Sequence, residues 1–378
     1  MRLRSGPLPR QGFNRLVCRN PDAAHCRRAD RGRRGMDGAV SGRITLQQLA
    51  QALGLSTATV SLALRDSQVV AEATRLKVQE AARARGYVAN RGAASLRTAR
   101  TNIVGIGLHD IINPSFTELL AALEDSLSAA GKTILLGVSQ EDVTRQTRTL
   151  GTLAEYRPDA FIVSPAAGTT VDDLKALAAS GIAVVQVTRE VEGSGFDFAG
   201  SDDTAGVALA VAHLVDLGHR RIGMIGSLPI ASTGRRRLAG YRQGLEDAGL
   251  PFDPALVAEG PGLRETGRAG VLKLLALPDP PTAAVCFNDL NAFGALMGLQ
   301  SAGLTAGRDF SLVGYDDIGE AALWHPALTT VFTRIPEYGH IAAELALARI
   351  AEPGRPVERV ALMPRLVVRE TTTPPRRR

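Results

Sequence analysis

The sequence predicts an α/β protein with an all-α front end. A helix-turn-helix unit and a short, weakly helical linker come first, followed by two doubly wound parallel-sheet lobes. Three observations carry this. Residues 44–64 read as two short helices joined by a tight turn. From residue 101 onward short apolar runs alternate with helical segments, the pattern of parallel sheets covered by helices on both faces. That alternation continues for roughly 270 residues, more than one sheet of ordinary size takes up, so it divides into two similar lobes.

In the headpiece, Thr45 is a candidate N-cap, and Leu46, Leu49 and Leu53 recur behind it at helical spacing. Gly54 breaks this helix because it adopts positive φ without steric cost. Ser56 caps the second helix, in which Val60 and Leu64 point inward, four residues apart. Thr57, Ala58, Ser61 and Leu62 are left facing out, near the helix N-terminus, where a helix-turn-helix reads base edges. A third helix over residues 70–87 takes its apolar side from Leu76, Val78, Ala81 and Ala82 and stops at Gly86. Residues 89–97 read as a short, weakly helical linker with one large apolar side chain, Leu96.

Charge supports the same reading. The chain carries a net +6, and the segment from Arg43 to Arg100 accounts for +6 alone, the footprint of a module that binds phosphates. A solvated charged face is the plainer alternative, but here the excess coincides with the helix-turn-helix.

Composition excludes several classes. At 45% hydrophobic and 22% charged residues, the 378-residue chain suits two or three soluble domains. No apolar run approaches the roughly 20 residues of a membrane span, and the basic N-terminus lacks the apolar core of a secretion signal. A cytoplasmic protein is expected. Cys18, Cys26 and Cys286 lack metal-type spacing, so no metal or cofactor is implied. Residues 1–43, rich in Arg, Gly and Pro, read as a disordered basic extension. Translation from Met36 would make most of it a start-site artefact, and a polybasic DNA-gripping arm is the alternative.

Beyond residue 101 the strand signals are 103–108, 132–138, 160–164, 183–187, 222–225, 283–287 and 310–313. Helical segments are 117–130, 204–217, 234–248, 267–277 and 291–302. Ligands on such folds bind outside the carboxyl ends of the strands. That singles out Leu108-His109-Asp110, Gly226-Ser227, Phe287-Asn288-Asp289 and Gly314-Tyr315-Asp316-Asp317.

Further landmarks follow in a fixed order. They are the linker from Asn90-Arg91 to Leu96, Asn113-Pro114-Ser115-Phe116, His213-Leu214 with Leu217-Gly218-His219, Asn288-Asp289, Val313-Gly314-Tyr315-Asp316-Asp317 and Leu328-Thr329-Thr330-Val331. With the helix-turn-helix they stand as in LacI/GalR-type bacterial transcription regulators, and the chain resembles that family from about residue 44 to 373. The resemblance implies a helix-turn-helix domain at 44–89, a hinge helix at 90–100 and a two-lobed, periplasmic-binding-protein-like effector and dimerisation domain at 101–373, with a tail at 374–378. Lobe 1 is expected at about 101–211 and 333–361, and lobe 2 at about 212–332 and 362–373. The implied partners are double-stranded DNA with a pseudo-palindromic operator, a small-molecule effector and a second copy of the chain, without a membrane.

By the same resemblance Thr57, Ala58, Ser61 and Leu62 form the base- and backbone-contacting face, with Arg65 standing where the family usually has Asn. Ala58 and Leu62 offer only apolar contact, suited to thymine methyls. Thr74, Arg75 and Asn90 are expected to position phosphates, and Leu96 to wedge into the minor groove at a central base step. Effector contacts are expected from Asn113, Phe116, Arg189, Arg235, Asn288 and Asp316, with Arg235 a bidentate donor to ligand oxygens and Asp316 the acceptor for ligand hydroxyls. These suit a sugar or polyol, with a purine or nucleoside as the alternative. The residues do not separate an inducer from a corepressor; the resemblance favours an inducer. An enzyme is disfavoured: Gly105-Ile106-Gly107 lacks the third glycine of a dinucleotide fingerprint, and no Walker loop or nucleophile elbow is present. A solute-binding protein would have no use for residues 44–64.

Overall fold

Three helices build the headpiece: α1 (Leu46–Leu53), α2 (Thr57–Leu64) and α3 (Glu72–Ala84). The structure, a computed structural model, describes residues 44–88 and 100–376. The N-terminal extension, the hinge, Asn90 and Leu96 lie outside the described residues. The chain forms two compact units, divided between Ala89 and Asn90.

Thr45 and Gln48 close a reciprocal capping box on α1, and Gly54 ends it at φ +66°. The Ser56 hydroxyl accepts from the Thr59 amide at 3.0 Å and so starts α2. Leu49, Val60, Ala63, Val70, Val78 and Ala82 are buried together as the core of this unit. Two sequence expectations change here. Helix α3 is shorter than 70–87 at both ends, and Leu76 is 56% exposed. Val78 and Ala82 set the inward stripe, and Leu76 lies roughly 200° around the helix from Val78.

The second unit holds two six-stranded sheets. The first runs β11-β5-β4-β3-β1-β2, all parallel, from β1 (Ile103–Leu108), β2 (Thr133–Val138), β3 (Ala160–Val163), β4 (Ala183–Val187), β5 (Asp197–Ser201) and β11 (Arg359–Leu362). Helices α4 (Pro114–Ala129), α5 (Val143–Ala154), α6 (Val171–Ala178) and α12 (Ile335–Ala351) cover it. Leu119, Leu123 and Leu127 of α4 bury against Ala342 and Ala346 of α12 and the apolar faces of β1, β3 and β4.

The second sheet runs β12-β10-β9-β8-β6-β7, from β6 (Ile222–Ile225), β7 (Val257–Ala258), β8 (Ala283–Cys286), β9 (Ser311–Asp316), β10 (Thr330–Phe332) and β12 (Arg365–Val367). Only the β10–β12 pairing is antiparallel. Helices α7 (Asp203–Asp216), α8 (Ser232–Asp247), α9 (Arg264–Leu275), α10 (Asp289–Ser301) and the short α11 (Glu320–Leu323) belong to it. Helices α7 and α8 pack closely because Gly240 carries no Cβ, which would stand 2.3 Å from the Thr204 carbonyl oxygen.

The chain passes between lobes three times: after β5, after β10 and between β11 and β12. The first crossing corrects the expected boundary at residue 211. Val207, Ala210, Val211 and Leu214 of α7 bury with Ile222, Met224 and Tyr241 of lobe 2, so the crossing lies at the end of β5, about ten residues earlier. No helix among the described residues is long and apolar enough to cross a membrane.

Candidate functional site

On the headpiece, Thr57 and Ala58 are exposed at the start of α2, and Ser61 is half-buried. Leu62 is a correction: it is half-buried and packs on the headpiece core, so it does not face wholly outward. Arg65 is exposed and folds along α2, its Nε donating to the Ser61 carbonyl at 3.1 Å and its Nη2 to the Ser61 hydroxyl at 3.4 Å. Thr74 is half-buried in the first turn of α3. Arg75 is more committed than a phosphate contact requires. Its Nε donates to Asp66 Oδ1 at 2.9 Å and its Nη1 to the Val70 carbonyl at 2.8 Å. Asp66 sits at φ +56°, so Arg75 braces the strained turn between α2 and α3.

In the second unit a cavity of about 370 Å³ opens where the strand ends of the two lobes face each other. Its lobe 1 wall includes His109, Asn113, Phe116, Glu141 and Arg189, and its lobe 2 wall includes Asp203, Thr233, Arg237, Phe287, Asn288 and Asp316. Strand ends supply His109, Asn288 and Asp316 for a general reason: in a parallel sheet the loops leaving the carboxyl ends converge on one side.

Asn113 does two jobs. Its Oδ1 accepts from the Ser115 amide at 3.2 Å, capping α4, and its Nδ2 donates across the cavity to Asp316 Oδ2 at 3.0 Å. Asn288 caps α10 through the Asn291 amide at 2.8 Å and donates to the Gly262 carbonyl at 3.1 Å. Phe116 is buried, with the His109 ring edge-on at 4.6 Å. His109 also shares a 2.9 Å hydrogen bond with the Ser164 hydroxyl. Burial first, then the Arg189 charge, holds its pKa well below the ordinary histidine value, so it is neutral at physiological pH. Arg189 lines the wall, but both its terminal nitrogens grip Glu141, at 2.7 and 2.8 Å, as a bidentate pair.

Arg235 does not reach the cavity. Its Nη1 donates to the Ile230 carbonyl at 3.1 Å, and its Nη2 lies 3.7 Å from Glu192. Arg237 takes the expected place. Its Nε donates to Asp203 Oδ1 at 2.9 Å, and its guanidinium lies 3.9 Å from the Tyr315 ring centroid and 4.6 Å from that of Phe287. Its Nη2 is 3.7 Å from Asp316. Three consecutive arginines on a helix point about 100° apart, so only one of the run can enter the cleft. The residue letters alone give no phase to choose it.

Asp316 is buried at φ +111°, and burial raises its carboxyl to about 6 against the opposing pull of Arg237. Asp289 beneath it is buried and raised well above the ordinary aspartate value, again by burial first and then by Asp316. It accepts from the Thr330 hydroxyl at 2.6 Å and the Ile318 amide at 2.9 Å, and Asp317 pairs with Arg369 at 2.7 Å. These two aspartates brace the loop that aims Asp316.

The hydroxyls of Ser201, Thr233 and Thr333 line the cavity buried and without a hydrogen-bond partner among the described residues. Such groups are costly unless something supplies their bonds. Sequence reading missed them, as it missed Asp203, Glu141 and Tyr338. Asp203 follows a strand that carries no apolar run, so nothing marked it as a strand-end residue. No group of three or more His, Cys, Asp or Glu among the described residues is placed to hold a metal ion.

A helix-turn-helix unit followed in the chain by a two-lobed unit with a cavity between the lobes is the build of a ligand-responsive DNA-binding regulator. Residues 45–90 match the model for bacterial regulatory proteins of the lacI family, and residues 211–372 match a periplasmic binding protein-like domain. The chain is 30% identical over 329 residues to the HTH-type transcriptional repressor PurR of Mannheimia succiniciproducens, covering 86% of this chain and 98% of that one. The structure of the Lac repressor bound to ONPG in the repressed state superposes with a TM-score of 0.78 at 25% identity, over 88% of this chain and all of that one. A LacI family transcriptional regulator from Enterococcus faecium with bound ribose gives 0.66 at 28% identity, over 72% of this chain and 99% of that one. The chain belongs to the LacI family of DNA-binding transcriptional regulators. Its relatives are regulators, not enzymes.

Proposed function

We propose that the protein is a sequence-specific repressor whose grip on a pseudo-palindromic operator is set by a small polyhydroxylated effector, a sugar or polyol, held between the lobes. One observation carries the effector assignment. The cavity combines the unpartnered buried hydroxyls of residues such as Ser201, Thr233 and Thr333 with Asp316, Asn113 and Asn288, and the charges of its two arginines are already matched by Glu141 and Asp203. A guest rich in hydroxyl groups supplies both donors and acceptors to that lining. An anionic one finds no unmatched cation there. The ribose-bound Enterococcus relative supports the same class of guest.

The headpiece reads DNA with the exposed start of α2, where Thr57 and Ala58 stand, and with Ser61 and Arg65 behind them. Leu96, outside the described residues, is assigned the minor-groove wedge, and Asn90 a phosphate. The protein acts in the cytoplasm as a homodimer, since one headpiece reads only a half-site. A second copy has an apolar surface to cover. Leu323 is 86% exposed, Trp324 stacks on Phe293 at 4.6 Å, and Met297 is exposed one turn further along α10.

The test is binding of the purified full chain to the DNA upstream of its own gene, read by gel shift against random competitor. A retarded band that neutral sugars or polyols weaken or strengthen is the expected result. Equal binding to every duplex at low and moderate salt overturns the regulator reading. Operator binding that no neutral sugar or polyol alters, but that a purine or nucleoside does, overturns the effector class alone.

A further inference from the structure

Beside the cavity the lobes are joined by a second device, which the chemistry of the cleft leaves unexplained. Glu190 follows β4 in lobe 1 and is 14% exposed at its side chain. It accepts from Arg236 of α8 in lobe 2 and, through both carboxylate oxygens, from Arg359 Nε of β11 at 3.0 Å. The Glu190 amide donates to the Ser232 hydroxyl of α8 at 3.0 Å. Arg236 and Arg359 both lie against the buried Phe198 ring, at 5.6 and 5.2 Å from its centroid. A second carboxylate, Glu192, stands 3.7 Å from both Arg235 and Arg236 and is largely exposed.

The placement matters because of what lies next in sequence. Thr188 and Arg189, immediately before Glu190, line the cavity from lobe 1. Thr233 and Arg237, immediately after Ser232 and Arg236, line it from lobe 2. Glu190 thus fastens together the two segments that present opposite walls, one residue away from each. Arg236 is suited to the task. Arg237 turns into the cavity and Arg235 is half exposed, whereas Arg236 turns into the seam, where a charge-assisted pair is partly shielded from water.

We propose that Glu190 is the positioning residue of the lobe seam: its carboxylate holds the first turn of α8 to lobe 1 and thereby sets where Arg237 and Thr233 stand in the cavity. The consequence for a ligand rests on the reading of the cavity given above. The joint itself does not, and it is tested without any ligand.

Hydrogen–deuterium exchange on the ligand-free full chain reads it directly. With Glu190→Gln, amides of residues 188–191 and 232–236 exchange at least tenfold faster, while those of β1 and β8 in the lobe cores keep their rates. Arg236→Gln gives the same local acceleration, and the double variant goes no further than either single one, because the two side chains share one interaction. Glu192→Gln, altering an exposed and longer contact, leaves these rates unchanged. Unaltered exchange at 232–236 in Glu190→Gln overturns the proposal, as does a uniform rise across both lobes, which would mark a general loss of stability. If Glu190→Gln does not fold, Glu190→Asp, which keeps the charge on a shorter arm, must give the selective acceleration, and its absence is equally decisive.

Discussion

Asn113 and Asp316 meet across the cavity at 3.0 Å, the first from the cap of a lobe 1 helix and the second from the end of a lobe 2 strand. Each is held from behind, Asn113 by its own capping bond and Asp316 by a backbone at positive φ. A ligand hydroxyl that takes the Asp316 carboxylate therefore competes with the contact between the lobes. A guest alters DNA affinity only through such differences in its affinity for the two lobe arrangements.

Replacing Asp316 with Ala should abolish the response to effector while operator affinity stays within about twofold. Fluorescence anisotropy on labelled operator, titrated with the sugar that acts on the wild type, checks this. Release of the mutant at the same sugar concentration would remove Asp316 from the site.

The same carboxyl makes stability depend on pH in a definite direction. Its folded value near 6 lies above the ordinary 3.8 because burial disfavours the charged form. The stabilisation from proton binding is complete below pH 4 and is lost as pH rises through 6. Asp316→Asn escapes that loss. The stability of the variant relative to wild type should therefore rise between pH 4 and 7 by an amount on the order of 3 kcal/mol. Thermal melts across that range measure it, and a flat or falling difference contradicts the assignment.

Arg237 and Arg235 should separate sharply. Arg237→Ala leaves the buried Asp203 carboxylate without its 2.9 Å partner, a change that costs about 3–5 kcal/mol, and it removes effector response. Arg235→Ala, at an exposed site with a 3.7 Å contact, should change stability by no more than about 0.5 kcal/mol and keep the response. Equal effects in denaturant melts would mean that the arginine run is phased differently.

On the headpiece, Arg75 and Arg65 should differ in kind. Arg75→Ala removes the brace on Asp66 and Val70 and should lower headpiece stability by about 1–3 kcal/mol. Arg65→Ala should leave stability nearly unchanged but reduce the slope of log affinity against log salt by about 1, the signature of one lost phosphate contact. A slope change in Arg75→Ala larger than that in Arg65→Ala would restore Arg75 as a phosphate contact.

Leu96→Ala should weaken operator binding at least tenfold and leave non-specific binding nearly intact, since a minor-groove wedge acts only where the DNA can be kinked. Parallel titrations on operator and random duplex decide it, and equal loss on both sinks the wedge.

The legibility of the sequence follows burial. Strands β1 and β4 and the helix pair α1–α2 stand out because their apolar periodicity is also their packing pattern. Strand β5 does not: Asp-Phe-Ala-Gly-Ser is buried throughout, yet Asp197 pairs with Arg349 at 2.8 Å and a glycine and serine replace apolar side chains. Missing β5 misplaced the first lobe crossing and hid Asp203. Helix α12 escaped notice because it is apolar on most sides, with little of the alternation that marks a half-exposed helix. At the site, residues at strand ends were legible by topology, whereas the choice of Arg237 over Arg235 depends on helix phase, which a run of three identical residues conceals.

The threefold passage of the chain between lobes bears on how the protein is made. Residues 335–351 and 359–362 complete the first lobe, and residues 365–367 form the edge of the second. Neither lobe is a continuous stretch, so a ribosome that has translated everything through β10 has released neither in finished form. Maturation of both must wait for the same closing segment, and a frameshift near residue 335 would cripple the two together rather than spare the earlier one.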